Sequence, residues 1–273
     1  IILDIKNAKF DLKVTEGTKF IIGMQGMNMF NVAEKTWGNR FLGKSAMDAN
    51  KWSASADLGI GISQSFGDIS TSFLITNGEG YKSKSEDNNE KISFQAMYGE
   101  KRLDKKDGFN LGGVYSTLTY TSCGTSGECI EEETAETVMG VFGGFSGFGV
   151  RVGFDYNIGA DLDLEAIKDQ EDTQEDESAL YGESSTLMSL YASYSLPFIE
   201  GLSIMGRYDM LNAGVENNPN TNEDESTKDD VATIIAGLIY NCTDGLTVAP
   251  HIVQTTGTEN PMMDFNLSFQ FKF

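Results

Sequence analysis

Apolar and polar residues alternate one by one along most of the chain, a period of two that is typical of β-strands. The C-terminus shows this most clearly, because four polar residues (Asn266, Ser268, Gln270 and Lys272) separate five apolar ones: Phe265, Leu267, Phe269, Phe271 and Phe273. Similar alternating runs lie at 52–63, 150–158, 188–198 and 202–210. Strands of soluble proteins usually have about 5–6 residues, whereas a tilted strand needs about 9–11 residues to cross a bilayer. The pattern therefore predicts membrane-spanning strands.

The connections between these runs alternate between two kinds. One kind is a short Gly-containing turn, such as Phe66-Gly67-Asp68 or Glu200-Gly201, and the other is a long polar stretch, at 31–50, 78–90, 122–134, 162–185 and 215–230. Outer-membrane barrels have this rhythm, with short periplasmic turns and longer extracellular loops. We predict an all-β fold, a closed antiparallel transmembrane β-barrel of about twelve strands, with fourteen as the alternative. Residues 1–18 form an N-terminal segment that leads into a barrel of residues 19–273. The predicted strands are 19–30, 51–66, 69–79, 91–101, 109–121, 135–147, 149–161, 186–198, 202–213, 231–243, 246–256 and 262–273.

Charge and composition exclude several other classes of protein. The 273 residues carry a formal net charge of −21, so no basic footprint exists for nucleic acid. No run of about 20 apolar residues predicts a transmembrane helix, and the first residues lack the pattern of a signal peptide. Acidic residues concentrate in the loops, at 128–136, 163–177 and 216–230. Such runs are usually solvated surface, and the alternative is that they bind a divalent cation, Ca²⁺ or Mg²⁺, at the mouth of a pore.

Several short motifs resemble Gram-negative outer-membrane porins, in particular the phosphate-selective-porin-like group. The motifs are Phe10-Asp11-Leu12-Lys13-Val14 with Glu16-Gly17 and Phe20-Ile21-Ile22-Gly23, then Ile75-Thr76-Asn77-Gly78-Glu79-Gly80-Tyr81, Arg207-Tyr208-Asp209 and the terminal Phe273. The resemblance implies an outer-membrane barrel that forms a homotrimer and lets small solutes diffuse through. Phosphate-selective members line their pore with basic residues, and this strongly acidic chain departs from that pattern.

Charged residues within the strands must face the lumen, because a charge that faces lipid at mid-depth costs about 2–4 kcal/mol. We therefore expect five pore-lining residues, namely Asp57, Arg151, Asp155, Arg207 and Asp209. Opposed acidic and basic groups across a pore would create a transverse field that orients solutes. The alternative is that these groups form ion pairs that stiffen a narrow, plugged barrel. Trp37, Trp52 and Tyr81 lie near loop ends, where we expect interface aromatics or residues packed beneath the loops.

The remaining candidates for chemistry are few. Cys123 and Cys129 frame a short loop, and we expect them to form a disulfide if the compartment is oxidising, with free thiols as the alternative. The single histidine, His251, excludes a multi-histidine metal site and leaves little basis for catalysis. We name no metal ligands and expect neither a cofactor nor an enzymatic activity.

The expected function is passive diffusion of small hydrophilic solutes, with a preference for cations, through a porin in the bacterial outer membrane. The expected surroundings are the lipid bilayer and lipopolysaccharide. One alternative is a non-conducting barrel that anchors surface material through its acidic loops. A less favoured alternative is an outer-membrane hydrolase, which would need a nucleophile beside His251.

Overall fold

A single antiparallel sheet of thirteen strands dominates the computed structural model. The structure describes residues 5–82, 90–123, 129–160, 184–212, 216–217, 224–225, 230–257 and 261–272. A separate two-stranded hairpin is formed by β11 (Glu216–Asn217) and β12 (Asp224–Glu225). The strands of the main sheet are β1 (Ala8–Lys13), β2 (Thr18–Gly26), β3 (Ala56–Phe66), β4 (Ile69–Thr76), β5 (Lys91–Gly99), β6 (Gly108–Cys123), β7 (Cys129–Gly147), β8 (Val150–Ala160), β9 (Ser185–Ser195), β10 (Leu202–Asn212), β13 (Val231–Thr243), β14 (Leu246–Thr256) and β15 (Met262–Phe271).

Every neighbouring pair in this sheet is antiparallel, and the spatial order follows the chain order from β1 to β15. The sheet has thirteen strands instead of the predicted twelve because Ala8–Lys13 pairs with β2 along its whole length. With an odd number of antiparallel strands, the first and last strands run in the same direction. Among the described residues, no hydrogen-bonded register joins β1 to β15, so the predicted closure of the barrel is not seen.

The two faces of the sheet differ as the alternation predicts. Large apolar side chains cover the outer face and are exposed, among them Phe20, Ile60, Phe73, Phe154 and Leu190. Their neighbours along the strands point to the other face, where both polar and apolar side chains are buried. No helix in the described parts of the chain is long and apolar enough to cross a membrane.

The connections divide between two rims. Short connections lie at 14–17, 67–68, 100–107, 148–149, 196–201 and 244–245, and together they define the short-turn rim. The remaining connections alternate with them and define the long-loop rim, at 27–55, 77–90, 124–128, 161–184, 213–230 and 257–261. Four of these are long, and 124–128 and 257–261 have five residues each. The acidic runs at 163–177 and 216–230 lie wholly or largely outside the described residues, and so does the terminal Phe273. The run at 128–136 was predicted to lie in a loop, and this was wrong, because from Cys129 onward it belongs to strand β7, which pairs with β6.

The long connection between β2 and β3 does not project from the rim. Residues 27–55, here called the lumen segment, contain two short helices, α1 (Asn31–Trp37) and α2 (Ala46–Ala49), and pack against the inner face of the sheet. The prediction of an external loop at 31–50 was therefore wrong. Trp37 and Trp52 are each 2% exposed and pack against the inner face of the sheet instead of lying at a membrane interface, because the segment carries them inward.

Candidate functional site

Two apolar clusters attach the lumen segment to the inner wall. In the first, Met29 and Trp52 from the segment pack with wall residues that include Phe142. In the second, Trp37 and Leu42 pack with wall residues from β9, β10, β13 and β14, namely Tyr191, Met205, Ile235, Ile239 and Ala249. Burial of apolar area contributes roughly 25 cal/mol per Å², so this contact holds the segment against the inner face of the sheet.

Polar side chains of the wall donate hydrogen bonds to the main chain of α1. The Tyr191 hydroxyl donates to the Ala33 carbonyl oxygen at 3.0 Å, and its ring meets Trp37 edge-on with 5.6 Å between centroids. Arg151 donates through Nη2 to the Trp37 carbonyl oxygen at 3.1 Å. The Trp37 carbonyl lies at the C-terminal end of α1, where carbonyl groups lack helical partners and a cation is favoured.

Gly38 allows the guanidinium of Arg151 to approach this helix end. Gly38 ends α1 in the left-handed conformation with a φ of 70°. A Cβ atom at this position would lie 2.8 Å from Cζ of Arg151, which is closer than real Cβ contacts. The glycine thus serves both the backbone turn and the close packing of Arg151.

Arg207 is the most extensively bound of the predicted residues. Its Nε and Nη2 donate to the two carboxylate oxygens of Asp209 at 2.8 and 2.5 Å, and the Ser189 hydroxyl donates to the same carboxylate at 2.5 Å. Arg207 also donates to the Lys44 carbonyl oxygen and lies 5.4 Å from the ring centroid of Trp37. One buried side chain therefore joins the wall to the lumen segment at two points.

The other two acidic candidates also lie on the inner face. Asp155 accepts a hydrogen bond from Asn157 at 3.0 Å and is buried. Asp57 accepts the backbone N–H groups of Leu58 at 2.8 Å and Gly78 at 2.6 Å. Asp57 thus fixes the start of the connection after β4, close to the long-loop rim.

The structure brings together three of the five predicted pore-lining residues. Ser189 lies opposite Asp155 in one register and opposite Asp209 in the next, so these residues form one row across β8, β9 and β10. Arg207 joins this row through its pair with Asp209, while Arg151 and Asp57 lie elsewhere on the inner face. The lumen segment covers Arg207 and Arg151 on one side. That the five residues line a conducting pore stays a prediction.

The remaining sequence candidates show no reactive arrangement in the described parts of the chain. His251 is buried, and its Nδ1 lies 3.1 Å from the Ala249 carbonyl oxygen. No group of three or more metal-binding side chains occurs among the described residues. Cys123 and Cys129 are opposite partners in the register of β6 and β7, and their disulfide stays a prediction. Cys242 is a free, exposed thiol.

Sequence reasoning missed Tyr191 and Trp37 as the residues that fix the lumen segment. Tyr191 lies on the inner face among serines, a position that marks it as inward but does not indicate a partner. In the segment, Met29, Ala33 and Trp37 recur every four residues just before Gly38, which is a helix signal with its C-terminal cap. This signal in the sequence predicts α1 and its end at Gly38.

The sequence matches no protein-family model and no curated protein sequence. The fold, however, has clear structural counterparts. Salmonella typhi OmpF, in a complex with daunomycin, aligns with a TM-score of 0.64 and 13% identity over 97% of this chain and 77% of that chain. A porin aligns with a TM-score of 0.61 and 14% identity over 97% of this chain and 80% of that chain.

The outer-membrane protein OmpT of Vibrio cholerae gives a similar result, with a TM-score of 0.60 and 12% identity over 97% of this chain and 80% of that chain. At such low identities the likeness is one of fold. The chain therefore has the fold of bacterial outer-membrane porins. This likeness does not show whether the chain belongs with the phosphate-selective subgroup.

Proposed function

We propose that the protein is an outer-membrane porin, a passive diffusion channel for small hydrophilic solutes. One observation carries this proposal: the two faces of the sheet differ. The outer face is apolar and exposed, whereas the inner face has buried polar and apolar groups and holds a folded segment of the chain. Such an outer face suits lipid, where every strand must satisfy its backbone within the sheet. The porin fold of the structural counterparts supports the same function.

In this proposal the sheet closes in the membrane, with the short-turn rim toward the periplasm and the long-loop rim outside. Open strand edges would leave unpaired N–H and C=O groups in hydrocarbon, which is costly. Gel electrophoresis in SDS, with and without boiling, tests closure, because a closed barrel should migrate differently before boiling. A single unfolded band under both conditions would contradict closure.

The lumen segment acts as the constriction. Trp37→Ala removes a buried side chain that packs on Tyr191 and stacks on Arg207, so we expect a larger single-channel conductance in planar bilayers. Arg102→Gln, at the short-turn rim and outside both apolar clusters, serves as the control and should leave conductance unchanged. Unchanged conductance in Trp37→Ala would place the constriction elsewhere.

We further propose a preference for cations at low salt, supported by the excess of 41 acidic over 20 basic residues. Exposed charge at a mouth acts through a field that decays over about 8 Å at physiological ionic strength. Reversal potentials across a KCl gradient should therefore show cation preference that weakens as salt rises. Anion preference at low salt would overturn the proposal.

A second candidate function is a non-conducting barrel that anchors surface material, and one observation favours it. The lumen segment makes two apolar clusters with the wall, involving β5–β7, β9–β10 and β13–β14, which is the packing of a plug. Conductance separates the two functions, because purified protein that inserts into bilayers without current steps would support the plug. Conductance steps would support the porin.

The proposed partners follow from a location in the outer membrane. Lipid and lipopolysaccharide would surround the apolar outer face, and homotrimer formation is proposed from the likeness to porins. The proposal includes no catalytic step, no cofactor and no nucleic acid. Cross-linking in native membranes tests the oligomer: a ladder that ends at three copies is expected, and a monomer alone would contradict the trimer.

A further inference from the structure

The lumen segment covers the inner face of the sheet unevenly. The two apolar clusters that attach it use wall residues from β5–β7, β9, β10, β13 and β14, and neither cluster contains a residue of β1 or β15. On the covered wall even charged side chains are buried, since Arg207 and Asp209 are 4% and 7% exposed. On β1 and β15, by contrast, Asp11 and Asn266 are exposed. The segment therefore leaves the two edge strands of the sheet uncovered.

The strand register shows which way these exposed side chains point. Asn266 lies opposite His251 of β14, which is 6% exposed, and Asp11 lies opposite Ile21 of β2, which is 8% exposed. Residues directly opposite each other in an antiparallel pair share one face of the sheet. Asn266 and Asp11 therefore point to the same side as buried inner-face residues, which is the lumen and not the lipid.

The identity of the side chains on β1 and β15 provides separate evidence, because an edge strand is exposed in part for lack of a second neighbour. The covered strands place large apolar side chains on the inner face, such as Phe142, Met205 and Ile235. The two edge strands place only polar or charged side chains there, apart from Met262 at the start of β15. Such side chains need water or a polar partner, so this part of the lumen suits water. The polar inner-facing residues of the two edge strands, here called the polar strip, are Lys9, Asp11, Lys13, Asp264, Asn266, Ser268 and Gln270.

The polar strip is long enough to cross a membrane. The ten residues of β15 extend over about 34 Å at about 3.4 Å per residue, and a strand needs about 9–11 residues to span a bilayer. Because β1 and β15 are the two edges of one sheet, closure of the proposed barrel brings their inner faces side by side. Their outer faces match as well, since Phe10 and Leu267 are both apolar and exposed.

The charges of the polar strip differ in their pairing. Asp11 forms salt bridges with Lys9 and with Lys19 of β2, each at 3.3 Å. Asp264 and Lys13 are exposed, and neither forms a salt bridge within the described residues. Asp264 lies toward the long-loop rim and Lys13 at the short-turn rim. An unpaired carboxylate near one mouth attracts cations to that mouth.

We propose that solutes pass between the lumen segment and the polar strip, and that Asp264 is a residue that determines charge selectivity on this route. The proposal rests on the proposed channel and adds the position of its path. Asn266, Ser268 and Gln270 carry donors and acceptors that exchange hydrogen bonds with hydrated solutes along the way.

A water-soluble, negatively charged methanethiosulfonate reagent tests the route in variants whose three native cysteines are serine. Ser268→Cys lies in the polar strip, and Ser116→Cys is the same change on the covered wall, at a residue that is 0% exposed. In micelles Ser116→Cys should react at least about tenfold more slowly, because the reagent reaches it only when the segment opens locally. In planar bilayers the reagent should lower the single-channel conductance of Ser268→Cys and leave that of Ser116→Cys unchanged.

The outcomes separate the route from the channel. Asn266→Cys repeats the test at a second position of β15 and should also lose conductance. Current steps that persist unchanged after the reagent has reacted with both β15 variants would overturn the route and leave the channel in place. Equal reaction rates at Ser268→Cys and Ser116→Cys would also overturn the route. Absence of current steps in the unmodified protein would contradict the channel itself, and the route with it.

Reversal potentials test the role of Asp264. Across a KCl gradient at low salt, Asp264→Asn should shift the reversal potential toward anion preference, because the path loses an exposed negative charge. Asp68→Asn removes the same charge from an exposed turn at the short-turn rim and should give a smaller shift. Equal shifts in the two variants, or none in Asp264→Asn, would overturn the assignment of Asp264.

Discussion

Two arginine–aspartate pairs in this protein have the same local geometry but different burial. In both, the arginine precedes the aspartate by two residues and donates through Nε and Nη2 to the two carboxylate oxygens, at 2.8 and 2.5 Å for Arg207–Asp209 and at 2.8 and 2.6 Å for Arg102–Asp104. The side chains of the first pair are 2% and 9% exposed, and those of the second pair are 37% and 19% exposed. Replacing each arginine by glutamine therefore compares two pairs of the same local geometry that differ in burial and in contact with the lumen segment.

The expected magnitudes follow from that difference. Breaking a buried pair leaves one charge uncompensated and costs about 3–5 kcal/mol, and Arg207→Gln leaves Asp209 with the Ser189 hydroxyl as its remaining side-chain donor among the described residues. It also removes the contacts with Trp37 and the Lys44 carbonyl. A more exposed pair contributes about 0–1 kcal/mol, so Arg102→Gln should have a small effect. We expect the two variants to differ by about 2–4 kcal/mol in the free energy of unfolding.

Tryptophan emission provides the assay, because the chain has two tryptophans and both lie in the lumen segment. Refolded protein in micelles is titrated with urea while emission reports on the segment and far-UV circular dichroism reports on the sheet. In Arg207→Gln the emission should shift to longer wavelength at lower urea than in the wild type, ahead of the loss of strand signal. Arg102→Gln should follow the wild type.

A second substitution guards against a general folding defect. Adding Asp209→Asn to Arg207→Gln removes the uncompensated charge, so it should recover much of the lost stability. Equal midpoints for the two single variants would refute the reasoning, since burial would then have no effect. An emission transition in Arg207→Gln that coincides with that of the wild type would show that this arginine does not hold the segment.

Three further predictions concern other parts of the molecule. Gly38→Ala should destabilise the lumen segment by about 1–2 kcal/mol, since the left-handed conformation is unfavourable for alanine and the new Cβ meets Arg151. The urea midpoint of the tryptophan-emission transition should fall, and an unchanged midpoint would contradict this destabilisation. Ile60→Lys, on the exposed outer face, should cost up to about 2–4 kcal/mol in lipid vesicles, depending on its depth, and a loss no larger than that of Ile60→Ala would argue against a lipid-facing position. Cys123 and Cys129, opposite each other in the β6–β7 register, should resist thiol labelling in unreduced, unfolded protein and react after reduction, whereas full labelling without reduction would show that no disulfide forms.

The two-sided environment of the sheet explains why its strands were predictable. Side chains alternate between lipid and lumen, so the sequence must alternate wherever the outer face meets hydrocarbon, as at Phe20, Ile22 and Ile60. The thirteenth strand was less visible. Ala8–Lys13 alternates in the same way, but its place in the sheet depends on pairing with β2, and a six-residue pattern does not indicate a pairing partner.

The inward fold of the lumen segment was not predictable by the same route, because its cause is remote in sequence. Tyr191 and Ala33 are joined by a hydrogen bond across 158 positions, and neither residue indicates the other. Composition even argued for exposure, since residues 31–50 lie between two strands and include polar and charged groups such as Glu34 and Arg40. Those two charges pair with each other, which allows the segment to pack against the inner face of the sheet with both charges paired.

Net charge shows most clearly why a sequence average does not describe the inner face of the sheet. The chain has a charge of −21, yet two arginines on the inner face bind main-chain carbonyl oxygens of the lumen segment, Arg151 at Trp37 and Arg207 at Lys44. The acidic runs at 163–177 and 216–230 contain much of the excess acid, and salt screens the field of exposed charges within about one Debye length. Buried or partly buried charges are screened much less. The proposed preference for cations is therefore compatible with arginines on the inner face, because salt screens the exposed charges and packing protects the buried ones.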